Sequence, residues 1–188
     1  MNSEDAIESD KVAGSPGCEL RAPAAIVPAG EADLPALAKL AEAIWRACYP
    51  GIISVAQIEY MLSKMYSQET LREEINAQGI RFYRLLVAGQ GAGFASIGPT
   101  NTADVMKLHK LYLLPAWHGR GLGSLLLKHG EAEAVRLGAH RLILSVNKRN
   151  IRAIAAYQRN GFMVAESVVT DIGGGFVMDD FVMAKQLD

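Results

Sequence analysis

A mixed α/β domain, with one central sheet covered by helices, is the fold that three observations predict. The hydrophobic period changes along the chain: apolar residues recur at helical spacing up to about residue 77, then alternate or run in short blocks from residue 82 onward. Two further helical patterns are interleaved among the later strand-like segments, an order that suits a sheet with helices on its faces. Half of the 188 residues are apolar and 21% are charged, as in an ordinary globular domain long enough to bury a core.

Ala24 to Val27 reads as a short strand. Asp33 can cap a helix that runs to about Cys48, with Pro35 in its first turn and Leu34, Leu37, Leu40, Ala41 and Ile44 on one face. Pro50-Gly51 breaks it. Ser54 opens a second helix, where Ile58, Met61, Leu62 and Met65 form a stripe better suited to the core than to a pocket. Thr70 to Ala77 continues as helix. Phe82 to Ala88 and Ala92 to Ile97 are paired strands, with Gly89-Gln90-Gly91 as their turn. Val105 to Leu114 is a longer strand. A helix from Gly119 to Leu137 follows, with Leu122, Leu125, Leu126, Ala132 and Val135 facing in and Gly138 ending it. Arg141 to Val146 is a strand, and Asn150 caps a helix that ends at Asn160-Gly161. Phe162 to Thr170 and Phe176 to Lys185 are the last strands, joined across Asp171 to Gly175.

Residues 1–22 carry acids, Gly, Ser and Pro without an apolar block, and are expected to be a disordered tail ahead of a single domain over 23–188. Cys18 and Cys48 lack metal-ligand spacing, which suits a reducing, cytoplasmic setting. No apolar run reaches transmembrane length, so no membrane partner is expected. His118, His129 and His140 are scattered, so no metal is expected either. The formal net charge of −1 hides an asymmetry: Lys107 to Asn160 holds ten Lys or Arg and two acids, leaving nine basic and eighteen acidic residues elsewhere. The basic block suits a polyanion. Nucleic acid fits less well, because the chain is acidic overall and few aromatics interleave with the basic residues.

The most informative stretch is His118-Gly119-Arg120-Gly121-Leu122-Gly123-Ser124, between an apolar strand and a helix. Closely spaced glycines let main-chain N–H groups approach a ligand, and the opening helix turn adds unpaired N–H groups with a positive dipole end. This suits phosphate oxygens. A P-loop is excluded by the missing Gly-Lys-Ser/Thr ending. A dinucleotide fingerprint fails because Ser124 stands where its last Gly should be, and because no acid lies between Ala134 and Ala165 to hold a ribose.

The stretch resembles the coenzyme A site of the GNAT superfamily of acyl-CoA-dependent N-acetyltransferases, whose signature is Gln or Arg, two residues, then Gly-x-Gly or Gly-x-Ala. Gly121 and Gly123 match, and His118 departs from the first position. The segment from Asn150 through Ala153 and Tyr157 to Gly161-Phe162 is similar to the family's Asn-x-x-Ala-x-x-x-Tyr…Gly-Phe run. The closing Asp-x-x-Met-Ala-Lys-x-Leu, from Asp180 to Leu187, is similar to bacterial polyamine N-acetyltransferases. The resemblance implies a mixed, mostly antiparallel sheet of about six to seven strands flanked by helices. It also implies acetyl-CoA as co-substrate, a small-molecule amine as acceptor with a polyamine favoured, and a homodimer through edge strands.

By that resemblance, the main chain of Leu111, Tyr112 and Leu113 pairs with the pantetheine arm. His118, Gly119, Arg120, Gly121, Leu122, Gly123 and Ser124 cradle the pyrophosphate, and Asn150, Ala153 and Tyr157 also take part in binding the cofactor. Tyr157 is the acid that protonates the departing thiolate, a core tyrosine on the sheet being its alternative role. Attack on a thioester needs a neutral amine, and so a proton acceptor. His109 is the candidate base, on the strand before the loop, near where family members often carry a Glu; Lys107 shares its face by alternation. A single structural hydrogen bond is the alternative role for His109, and Glu59, Glu69 or ordered water are other proton acceptors. Lys148, Arg149 and Arg152 can meet a remaining phosphate or stay as surface charges. Asp171, Asp179, Asp180, Glu59, Glu69, Glu73 and Glu74 can draw in a cationic amine or be ordinary solvated acids. A non-catalytic acetyl-CoA-binding regulatory module is the reading from a different class. An acetyltransferase for an amino acid, an antibiotic or a protein N-terminus is the variant within the enzyme class.

Overall fold

The computed structural model describes residues 23–188. The tail expected over 1–22, and with it Cys18, lies outside the described residues. Seven strands form one sheet in the order β1-β2-β3-β4-β5-β7-β6: β1 (Ala24–Ala29), β2 (Arg81–Val87), β3 (Gln90–Pro99), β4 (Val105–Leu113), β5 (Arg141–Asn147), β6 (Met163–Gly173) and β7 (Phe176–Gln186). Every neighbouring pair is antiparallel except β4 and β5. That one parallel step needs a crossover, which α4 (Leu122–Arg136) supplies. The others are α1 (Leu34–Cys48), α2 (Val55–Met65), α3 (Gln68–Asn76) and α5 (Ile151–Arg159).

Two apolar clusters sit on opposite faces. One lies under α4 and α5, with Leu108, Leu126, Leu127, Leu144, Ile154 and Phe162 at its centre. The other gathers α1, α2 and α3 against β2 and β3 through Leu37, Ile44, Trp45, Ile58, Phe82 and Phe94. Ile58 and Met61 are buried, and Leu62 and Met65 pack against the same cluster, so the stripe on α2 is core.

The differences from the sequence reading are local. The β2–β3 turn is Ala88-Gly89, both at positive φ, and β3 begins at Gln90: a two-residue turn matches strand twist better than the longer one expected. Asp33 occupies the α1 cap position, but its carboxylate accepts from the Gly30 N–H at 3.0 Å, closing a short 3-10 turn instead. Phe162 precedes β6 and is buried; its N–H bonds the Tyr157 carbonyl at 3.1 Å. The inward face of α4 differs most. Leu125, Ala132 and Val135 are exposed, while Leu126, Leu127, Gly130 and Ala134 are buried. The helix starts at Leu122 and not at Gly119, and three consecutive leucines leave its inward stripe ambiguous by one position.

The β6–β7 hairpin reaches past β5 and closes on α2. The Tyr60 hydroxyl donates to the Ile172 carbonyl at 2.8 Å, and Gln57 Nε2 donates to the Val177 carbonyl at 2.8 Å. A Cβ on Gly174, whose φ is +64°, would stand 2.7 Å from the Tyr60 ring. Gly174→Ala is therefore expected to cost about 1–2 kcal/mol from the left-handed backbone alone, and more from the clash, read as a lowered melting temperature.

Candidate active site

The site begins where β4 and β5 part. They pair only over Val105–Leu108 and Arg141–Leu144. Beyond that, β4 stays bonded to β3, with Lys110, Leu111, Tyr112 and Leu113 facing Ser96, Ala95, Phe94 and Gly93. Its other edge is free of β5 along Leu111 to Leu113, leaving main-chain groups for a ligand that pairs as a strand does.

The parting coincides with a bulge. Ser96 faces Lys110 and Ile97 faces Leu108, so His109 is the extra residue. Leu108, Leu111 and Leu113 lie with the cluster under α4 and α5, whereas Tyr112 and Leu114 lie with the opposite cluster. The bulge thus turns both His109 and Lys110 toward the α1–α3 side. Lys107 shares that side, as alternation predicts. Gly98 makes room: a Cβ there would stand 3.2 Å from His109 Nε2 and 2.8 Å from Ile80.

Lys110 is 3% exposed, and its ammonium bonds both oxygens of Glu74 on α3 at 2.6 Å. The ring of Phe82 lies 5.4 Å and that of Tyr66 5.6 Å from the same nitrogen. This pair was missed in the sequence, where its signal was a lysine inside the apolar run Leu108 to Leu114. His109 Nε2 is buried and has no hydrogen-bond partner among the described residues. Burial, with Lys107 and Lys110 beside it, holds His109 down to about 4, so it is neutral at neutral pH.

The glycine loop closes the end of β4. A 3-10 turn spans Pro115–Trp117. His118 Nε2 lies 2.9 Å from the Leu113 carbonyl, which makes Nε2 the protonated nitrogen and the imidazole a brace for the loop. The Arg120 guanidinium stacks 5.0 Å over the Trp117 ring. Gly119 and Gly121 have φ of +76° and +78°, and nothing lies within 4 Å of where their Cβ atoms would stand. Gly121 caps α4 without a side chain, so the N–H groups of the first helical turn, Leu122, Gly123 and Ser124, have no intrahelical or capping partner. Ser124 Oγ itself is engaged by Asn160 Nδ2 at 3.1 Å. These groups fit an anionic oxygen cluster.

From the other side of the parting, Asn150 caps α5, its Oδ1 accepting from the Ala153 N–H at 3.2 Å. That sets the helix carrying Tyr157 against the sheet, where its ring lies 6.1 Å from Phe162. Burial pushes the Tyr157 hydroxyl up to about 12, so it keeps its proton at neutral pH. Lys148 pairs with Asp179, while Arg149 and Arg152 enter no ion pair among the described residues.

The acids separate sharply. Glu59 is bidentate to Arg46 at 2.9 Å, Glu74 is taken by Lys110, and Asp171 accepts from the Gly173 N–H at 2.8 Å. Glu69 and Glu73 are exposed on α3. Asp180 keeps a buried oxygen, Oδ1, with no partner among the described residues. A concavity of about 380 Å³ between α1 and α2, lined by Pro35, Arg46, Glu59 and Tyr66 among others, shares no residue with the glycine loop or α5. Among the described residues no group of three His, Cys, Asp or Glu is placed to hold a metal, and no helix is long and apolar enough to cross a membrane.

Known proteins share this fold and much of this sequence. The chain is 31% identical over 150 residues to a spermidine N(1)-acetyltransferase of Thermoplasma acidophilum, an alignment that covers 78% of this chain and 90% of that one. The crystal structure of the PaiA N-acetyltransferase from T. acidophilum in complex with coenzyme A superposes with a TM-score of 0.73 at 28% identity, covering 87% of this chain and 99% of that one. Uncharacterized N-acetyltransferases of Mycobacterium tuberculosis and Mycobacterium bovis are 35% identical over 99 residues; the match covers 53% of this chain and 62% of theirs, less than two thirds of those relatives' length. The profile of the acetyltransferase (GNAT) family matches residues 39–162, from the first helix through Tyr157 to Phe162. The chain belongs to the GNAT acetyltransferase family.

Proposed function

We propose that this protein transfers the acetyl group of acetyl-CoA to a primary amine of a small cationic acceptor, by direct attack with both substrates bound. The observation that carries this reading is the convergence, at the parting of β4 and β5, of a free strand edge, an uncapped helix start and a protonated tyrosine. Leu111 to Leu113 hold the pantetheine arm through the main chain. The N–H groups from Gly119 to Ser124 hold the pyrophosphate, and His118 and Asn150 brace the loop and the helix that carry the site. Tyr157 donates to the departing sulfur. Burial keeps that hydroxyl protonated at neutral pH, so the proton is in place before the step. His109, neutral and unpartnered at Nε2, accepts the hydrogen bond of the attacking nitrogen and relays its proton onward, directly or through water.

A polyamine is the favoured acceptor. The support is the likeness to the Thermoplasma spermidine enzyme along most of both chains. A shorter match, 32% identical over 113 residues, is to an L-methionine sulfoximine/L-methionine sulfone acetyltransferase of Salmonella typhimurium, so amino-acid-like amines belong in the assay. Free-thiol release from acetyl-CoA is expected to depend on added spermidine or spermine, and to be weaker with lysine, methionine sulfone, an aminoglycoside or a short peptide. Release driven best by one of the latter would reject the polyamine and keep the reaction. Tight acetyl-CoA binding without release in any of them would favour the non-catalytic module.

A further inference from the structure

Resting on the acetyl-transfer reading above, we propose that Asp180 is the carboxylate that receives the acceptor amine, holding its ammonium and taking the proton that frees the lone pair. Among the seven acids that could attract a cation, five are engaged by Arg46, Lys110 or a turn N–H, or lie out on α3, and Asp179 and Asp180 stand side by side on β7 with opposite facings. Asp179 is the partner of Lys148. Asp180 faces the other way and pairs across the sheet with Asn147, the last residue of β5.

That register places it. Ile143 of β5 faces Lys107 on one side and Ala184 on the other, and Asn147 lies four residues further along, where β4 no longer pairs with β5. Phe181 and Met183 belong to the cluster under α4 and α5, so Asp180 and Val182 point to the opposite side, the side of Lys107 and His109. Asp180 Oδ1 and His109 Nε2 are both buried and unpartnered on this same face of the sheet, His109 Nε2 lying against Gly98 of β3 and Asp180 Oδ1 beyond the end of the β4–β5 ladder. A buried carboxylate oxygen without a donor is costly, and a charged donor arriving with the substrate removes that cost.

The surroundings suit a proton acceptor. Burial and the neighbouring Asp179 push the Asp180 carboxyl up, against the opposing pull of Lys107 from β4, Asn147 from β5 and Lys148 from the loop that follows β5. His109, flanked by Lys107 and Lys110, stores a proton poorly, so a carboxylate is the better place for the ammonium proton to end. The protons balance as follows. The ammonium gives one to Asp180. The neutral nitrogen bonds to the acetyl carbon as the carbon–sulfur bond breaks, and the sulfur takes the phenolic proton of Tyr157. The second nitrogen proton returns to Tyr157, and Asp180 releases the first to water as the amide leaves. One acyl donor and one ammonium become one amide, one thiol and one proton.

Asp180→Asn tests this against the parent enzyme and a Glu73→Gln control, with spermidine as acceptor. In the parent, kcat/KM for the amine is expected to be flat from above the Asp180 pKa to near the amine's own, because carboxylate and ammonium react as a pair. In the Asp180→Asn enzyme it is expected to fall about a hundredfold at neutral pH. It should then climb about tenfold per pH unit, since only free neutral amine can react. Acetyl-CoA affinity by calorimetry should stay within about twofold of the parent. An Asp180→Asn enzyme with the parent's rate and flat profile overturns the assignment and leaves acetyl transfer standing. A parent that releases no thiol with any amine overturns the acetyl-transfer reading and this one with it. If Asp180→Asn fails to fold, Asp180→Glu replaces it: a lowered but flat profile supports the role, and a climbing one overturns it.

Discussion

A Tyr157→Phe protein is expected to bind acetyl-CoA as the parent does and to turn over about two to three orders of magnitude more slowly. The ring packs on the sheet beside Phe162, so removing one oxygen leaves α5 in place. What is lost is the proton for the sulfur. Because burial holds that hydroxyl up to about 12, its proton is present throughout the working pH range, and no nearby acid is positioned to replace it on α5, where Arg152 and Arg159 are the other ionisable groups. Calorimetric titration with acetyl-CoA and thiol release, measured on one preparation, separate the two quantities. Unchanged turnover would remove Tyr157 from the mechanism and return it to the core. Lost binding would mean that the hydroxyl itself helps to hold the cofactor.

The second large effect concerns stability. Lys110→Met is expected to cost about 3–5 kcal/mol, and a double variant with Glu74→Leu to recover most of it. Lys110 is almost wholly buried between β4 and α3, so removing it leaves the Glu74 carboxylate facing Phe82 and Tyr66 without a cation. Glu74 keeps 12% of its side-chain surface in contact with water, which places the cost toward the lower end of that range. Removing both charges removes the desolvation problem with them, as two apolar side chains fill the same space. Urea unfolding of parent, single and double variants reads the cycle. A single variant as stable as the parent would show that the pair contributes nothing to the fold. The same lysine lies beside the bulge, so activity of the folded double variant also reports whether the His109 geometry depends on the charge.

Much of this was legible before any coordinates. Asn150 does cap its helix, Ser54 does cap α2, and Gly138 does end α4, because these are short-range matters of one side chain and one turn. The glycine loop and Tyr157 could be singled out because each rests on a motif of residues close in sequence. What could not be read required partners distant in sequence. The fate of the acids is the clearest case: whether Glu59 or Asp180 faces a substrate depends on Arg46 reaching across thirteen residues and on the register of β7 against β5. The bulge at His109 is likewise invisible in the strand itself, since it arises from a mismatch with β3. On α4, Leu125, Leu126 and Leu127 offered two stripes of similar hydrophobicity, and Leu108 packing near Gly130 chose between them.

The four-residue ladder between β4 and β5 has a consequence for how the molecule assembles. On one side of it, β2, β3 and β4 form a meander of short connections; on the other, β6 and β7 form a hairpin that pairs with β5. Parallel pairing across a helical crossover is a slow, non-local step, so the two sides have the makings of separate folding units that dock late. The cleft proposed for acetyl-CoA is then the seam of that docking. A ligand seated across the seam bonds to both units, and acts chiefly by slowing their separation.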